Sequence, residues 1–299
     1  MEIHALYHDY QEMLRRERPE IVRICTPVSS HCEITTACAR AGVKAILCEK
    51  PMALDMEGAE SMIAECAQAG AKLAIGHMRR HSAHHQFVKR FIDRGELGKL
   101  SHLSASCPSN FMEWGTHFVD LMLWYAGEVE WVMGQIHGIG APRHRFGFID
   151  VAPVVGYFKF ASGAVGLLET AISGTRDEDC SQLIHIRGER GELVVPLAGS
   201  EHGAPRYCRD GSLTWIAPEI HHVSAFQLEI ENLCDCIEQD KTPLADGRSG
   251  MKALEVLLAI TESARTRGKV SIPLRQRKNP LEIMMNDGLQ VAPQVNLQP

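Results

Sequence analysis

Three short apolar runs, each followed by a helix-like stretch, constrain this chain more than any other feature. Ile21–Cys25, Val43–Cys48 and Lys72–Gly76 read as strands. His31–Arg40 and Asp55–Ala69 read as the helices between them, with Gly42 and Gly70 as their stops. Alternation of this kind implies a parallel sheet with right-handed crossovers. Upstream, Asp9-x-x-Glu12 opens a helix that Pro19 stops, and Ser82 caps a further helix running to Arg94 and ended by Gly95.

From Leu100 the pattern changes. Leu100–Cys107, Glu130–His137, Val154–Phe160, Ala164–Ala171, Leu183–Arg187 and Leu193–Val195 are strand-like, and Ser162-Gly163, Gly188 to Gly191 and Asp210-Gly211 are turns. They describe a largely antiparallel sheet. Two helices follow, Ala225–Gln239 and Gly250–Arg267, then a short strand, Val270–Leu274. Gln276 to Pro299 is polar and reads as a loosely held arm.

A chain of 299 residues can bury a substantial core and form two domains. A net charge of −6 argues against a general nucleic-acid binder. No apolar run has transmembrane length, and Met1 to Tyr10 lacks the pattern of a secretory leader. The ten cysteines lie singly in apolar runs, as reduced thiols of a cytoplasmic protein do, and Cys234-x-Cys236 has neither zinc nor redox spacing.

The carboxyl ends of neighbouring parallel strands line one crevice, the usual ligand site of an open α/β sheet. Three motifs fall there. Thr26-Pro27-x-x-x-His31 leads into a helix N-terminus, where free N–H groups suit phosphate or ribose oxygens; alone it reads equally as a turn. Glu49-Lys50-Pro51 places an ammonium group in the crevice, its bland alternative being a solvated ion pair. Gly76-His77-x-Arg79-Arg80 brings two guanidinium groups to the same edge, or is only a basic helix entry.

Glu113-x-x-x-His117-x-x-Asp120 has helical spacing, with carboxylates flanking an imidazole as acid-base work requires, though a lone helix histidine is more often structural. His81, His84 and His85 lack a carboxylate or cysteine to complete a metal site, so no metal is expected, and a solvated helical turn is the better reading.

Taken together, these residues resemble the Gfo/Idh/MocA oxidoreductases. The likeness rests on the order and spacing of Thr26-Pro27-x-x-x-His31, Glu49-Lys50-Pro51, Gly76-His77-x-Arg79-Arg80, Ile92-Asp93-x-Gly95-x-Leu97-Gly98 and His117-x-x-Asp120. Thr242-Pro243-Leu244-x-Asp246-Gly247 and Val270-x-Ile272-Pro273-Leu274 extend it over nearly the whole chain.

The resemblance implies α/β plus α+β architecture: a truncated Rossmann-type parallel sheet, then a mostly antiparallel sheet domain with helices. It divides the chain into a partial dinucleotide-binding domain (1–99), a substrate and oligomerisation domain (100–275) and the arm (276–299). It implies hydride transfer between NAD or NADP and a hydroxyl or carbonyl carbon of a sugar or polyol, in a homo-oligomer paired through the second sheet.

By the same likeness Lys50 hydrogen-bonds the reacting oxygen, and His117, with Glu113, moves the proton. Thr26, Pro27, His31, Glu49, Lys50, Pro51 and Arg79 contact the cofactor; Asn110, Trp114 and Asp120 face the substrate. Two departures stand out. The family's usual Asp four residues before the histidine is Glu113 here. The G-x-G-x-x-G turn is absent, Gly138-Ile139-Gly140 being a strand-end turn, so weak dinucleotide binding is expected of the chain as given. A non-catalytic binding or oligomerising remnant is the alternative reading; a metal-dependent hydrolase is a weaker third.

Overall fold

The computed structural model describes residues 5–107, 111–137, 151, 153–170, 182–197, 203–221 and 223–288. The first sheet holds β1 (Ile21–Ile24), β2 (Ala45–Cys48) and β3 (Lys72–Ile75), all parallel and in that spatial order. Every residue of the central strand β2 is buried, because both faces of a parallel sheet are covered. Helices α1 (Tyr10–Glu17), α2 (His31–Arg40) and α3 (Met56–Ala69) complete the expected alternation. Asp9 and Asp55 cap α1 and α3, accepting from the backbone N–H of Gln11 and Gly58, and Gly70 ends α3 in the left-handed region.

After α4 (Ala83–Asp93), β4 (Leu100–Cys107) begins the second sheet. Its other strands are β5 (Val129–Ile136), β6 (Val154–Phe160), β7 (Val165–Thr170), β8 (Leu183–Gly188), β9 (Gly191–Pro196), β10 (Arg206–Arg209) and β11 (Val270–Ser271). The spatial order is β10-β9-β8-β4-β7-β6-β5-β11, and every pairing is antiparallel except β4 with β7. Alternate residues of β6 are buried and accessible, so one sheet face lies against helices and the other is open.

Helix α5 (Phe111–Ala126) and helix α7 (Gly247–Thr266) supply that cover. Helix α7 touches both sheets. A Cβ at Gly250 would fall 2.5 Å from Ile75 of β3, and one at Gly156 of β6 would fall 2.5 Å from Ile260 of α7. Glycine therefore sets how closely this helix approaches each sheet.

Two expectations change. The sequence assigns Ala225–Gln239 to the second domain, but α6 (Ala225–Glu238) packs its Leu233 against Ala45, Leu47 and Ala74 of the first sheet. Residues from Gln276 were expected to form a loose arm. Instead α8 (Pro280–Asn286) is capped by Asn279, and Leu281 and Met284 are buried. Asn279 Nδ2 also donates to the Leu54 carbonyl at 3.0 Å, fixing this segment beside α3. Residues 289–299 lie outside the described residues.

Candidate active site

Strand β1 runs out into Thr26-Pro27, both exposed. Ser30 Oγ donates to Thr26 Oγ1 at 2.7 Å, closing the turn that follows. His31 does not line this surface as expected. Its ring is 1% exposed, with Nδ1 3.0 Å from the Pro51 carbonyl and Nε2 2.9 Å from the Thr26 carbonyl. It braces the first strand-end loop against the second. Pro51 is buried as well, behind a cis Lys50–Pro51 peptide bond.

Glu49 is partly accessible and accepts from Arg23 Nη2 at 2.7 Å. A Cβ at Gly76, at the end of β3, would lie 3.0 Å from Glu49 Oε2, so glycine lets that carboxylate sit against the neighbouring strand end. Lys50 leaves the crevice floor for the first turn of α5, where its Nζ donates to the Glu113 carbonyl at 3.0 Å.

His117 lies one turn further along α5 and is 4% exposed. Burial lowers its proton affinity well below the ordinary imidazole range, and the Lys50 charge is the next largest cause. At neutral pH it is an uncharged imidazole. Its Nδ1 has no hydrogen-bond partner among the described residues. Trp114 is partly buried beside it, ring centroids 6.3 Å apart. The crevice thus pairs a fixed ammonium group with a neutral base, the set needed to hold an alkoxide-like oxygen and accept its proton.

The carboxylates behave otherwise than expected. Asp120 is 0% exposed and faces no substrate space. Arg80 grips it with two nitrogens, Nε to Oδ2 at 2.9 Å and Nη2 to Oδ1 at 2.7 Å. Among the described residues, no hydrogen bond joins Asp120 to His117. Asn110 and Gly138-Ile139-Gly140 lie outside the described residues.

Two sequence models match the chain. The one described as an oxidoreductase family NAD-binding Rossmann fold, GFO_IDH_MocA, matches residues 1–77, and that of the family's C-terminal alpha/beta domain matches residues 106–272. The chain belongs to the Gfo/Idh/MocA oxidoreductase family. The scyllo-inositol 2-dehydrogenase (NAD(+)) of Bacillus subtilis is 25% identical over 285 residues, 90% of this chain and 82% of its own length. The D-apiose dehydrogenase of Paraburkholderia graminis is 25% identical over 312 residues, 96% of this chain and 82% of its own. Among solved structures, an aldose-aldose oxidoreductase from Caulobacter crescentus complexed with glycerol aligns with a TM-score of 0.77 at 26% identity, over 89% of this chain and 83% of that one.

For this Gfo/Idh/MocA chain, sequence reasoning also missed His77 as a site residue. It is 1% exposed; its Nε2 is 3.0 Å from Thr116 Oγ1, its Nδ1 3.3 Å from Asp120 Oδ1, and its ring centroid 5.8 Å from that of His117. Its motif names the residue, but its partners lie about forty positions later, so spacing carries no signal. The histidines read as a solvated turn are core residues: His81 is 7%, His84 4% and His85 0% exposed. His85 Nδ1 lies 2.6 Å from Tyr125 Oη and its Nε2 3.2 Å from the Leu197 carbonyl. Among the described residues no group of three or more His, Cys, Asp or Glu is clustered to hold a metal ion.

Proposed function

We infer that this chain is an NAD(P)-dependent oxidoreductase that interconverts a hydroxyl and a carbonyl carbon of a sugar or polyol-like substrate. The juxtaposition that carries this reading is Lys50 at the start of α5 with His117 one turn beyond. Lys50 hydrogen-bonds the reacting oxygen. His117 takes the hydroxyl proton during oxidation and returns it during reduction. The bound nicotinamide accepts or supplies the hydride. Family membership supports NAD(H), and inositol and apiose dehydrogenases among the relatives support the substrate class.

The residues present fit the nicotinamide-ribose end of a dinucleotide. Thr26 and Pro27 are exposed at the strand end, and Glu49 offers a partly accessible carboxylate that Arg23 holds in place. No Gly-rich phosphate loop lies among the described residues. A homo-oligomer paired through the open face of the second sheet is part of the same proposal. A cytoplasmic location fits the nine described cysteines, all free thiols.

The deciding experiment measures nicotinamide absorbance with a panel of sugars and polyols, with NADH binding followed by fluorescence in parallel. Lys50→Ala is expected to lower kcat/KM roughly 100- to 1,000-fold, the usual loss for one donor to a developing oxyanion. His117→Ala is expected to fall in the roughly 100- to 10,000-fold range of acid-base catalysis. Full turnover by either variant removes that residue from the mechanism. Tight NADH binding without turnover of any tested compound favours a non-catalytic role.

A further inference from the structure

His117, the base of the proposed chemistry, has no hydrogen bond at Nδ1 among the described residues. A catalytic base needs a further group to orient its ring. Among the described residues two rings pack on it. Trp114 belongs to the same helix. His77 comes from outside α5, just after β3, and meets His117 edge to face, with centroids 5.8 Å apart and planes at 73°. His77 is itself tied on several sides. Its carbonyl accepts from the Arg80 N–H at 3.1 Å, and its ring is 1% exposed. Its Nδ1 lies 3.3 Å from Asp120 Oδ1, and its Nε2 lies 3.0 Å from Thr116 Oγ1.

These contacts set the orientation of the His77 ring as well as its place. A carboxylate accepts but does not donate, so Asp120 favours the proton on Nδ1, and Nε2 then accepts from the Thr116 hydroxyl. Asp120 is held in turn, because Arg80 grips both its oxygens and donates from Nη1 to the Leu244 carbonyl. Thr116 is the residue before His117 on α5. The frame of Arg80, Asp120, His77 and Thr116 therefore ends in one fixed ring packed on the base.

We propose that His77 is a positioning residue, which holds the His117 ring in one orientation and keeps water from that side of it. This rests on the role given to His117 above. The groups that bear on the charge of His117 are Lys50, His77, Arg79 and His85, with Glu113 and Asp120 one turn to either side on α5. Arg79, placed at the cofactor by the resemblance, is partly accessible in the turn that follows His77. Removing the His77 ring leaves a space beside Thr116 Oγ1 and Asp120 Oδ1, two polar atoms that suit a water molecule. Water there solvates the protonated form of His117 and frees its ring to turn.

The test compares wild-type protein with His77→Ala and Thr116→Val, the second keeping volume and removing only the hydroxyl on His77 Nε2. One arm follows turnover over the sugar and polyol panel. The other follows ring protonation by NMR of protein labelled at histidine Cε1, the His117 signal being assigned by its loss in His117→Gln. His77→Ala is expected to lower kcat roughly 10- to 100-fold with KM little changed, the scale of a misplaced catalytic group. Its His117 signal is expected to titrate closer to the ordinary 6.5 than in wild type, and the acid limb of the kcat profile to move up with it. Thr116→Val is expected to show the same changes at smaller size, and it decides the matter if circular dichroism finds His77→Ala unfolded. Unchanged kcat and an unmoved His117 titration overturn the proposal. So does a loss of kcat with the His117 titration unmoved, which would leave His77 a role in the fold alone. A His117 titration that moves, in a protein whose wild type turns over no compound, keeps the positioning role and removes the redox reading instead.

Discussion

Glu229 shows what one side chain can contribute beneath a site. It is 3% exposed on α6, and neither carboxylate oxygen has a hydrogen-bond partner among the described residues. Burial pushes its carboxyl up to about 7; Glu49 adds to the rise and Arg23 opposes it. The folded value lies above the ordinary 4.5, so the unfolded chain loses its proton first as pH rises. Stability linked to this group is complete below about 4.5 and is lost progressively up to about 7. Glu229→Gln removes the titration. Relative to wild type, it is expected to gain on the order of 2–3 kcal/mol between pH 4.5 and 8, measured by urea unfolding. An unchanged difference across that range would mean that the carboxyl is solvated. The sequence gives no hint of this group, because Ala225–Gln239 reads as an ordinary amphipathic helix and its packing partner lies in another part of the chain.

At the level of elements, strands and helices were legible where local pattern and capping agreed. Ser82 and Asp9 cap as read, Asp55 caps the helix it was expected to begin, and β4 and β6 span the residues expected. Strand β10, only four residues and paired with β9, was not read, and neither was α8, which begins at Pro280 in a polar stretch. Orientation was less legible than existence. Asp120 shares a helix with His117 but turns to Arg80, a partner set by tertiary packing.

The open face of the second sheet is where an element-level prediction belongs. Met133 and Val155 are each 48% exposed there, and Tyr157 38%. Apolar side chains grouped on one open sheet face point to association with a second copy. Val155→Glu is expected to convert an oligomer into a monomer by light scattering, with the far-ultraviolet spectrum retained. A monomeric wild-type protein would refute sheet pairing outright.

For the molecule as a whole, the buried imidazoles dictate how stability responds to acid. Burial holds His81 at about 4 and His85 at about 3, and it lowers His77 and His117 too, against an ordinary value of 6.5. Below about 6.5 the unfolded chain takes up protons that the folded chain refuses, so each such group contributes stability at neutral pH that is lost as pH falls. The slope is up to about 1.4 kcal/mol per pH unit for each imidazole. Glu229 acts in the opposite sense between 4.5 and 7, and burial raises Glu255 too, but His102 joins the four rings on the other side, so two carboxyls stand against five imidazoles. The expected outcome is a midpoint of thermal unfolding that drops steadily from pH 7 to pH 5. A flat profile would mean that the histidines open to water at little cost. His85→Gln separates the contributions: it removes one titrating ring while keeping a donor and an acceptor near Tyr125 and the Leu197 carbonyl. Its profile should be shallower by about one proton's slope. Activity should hold as long as the fold does on the acid side, because the burial that makes the protein acid-sensitive also keeps His117 unprotonated as a base.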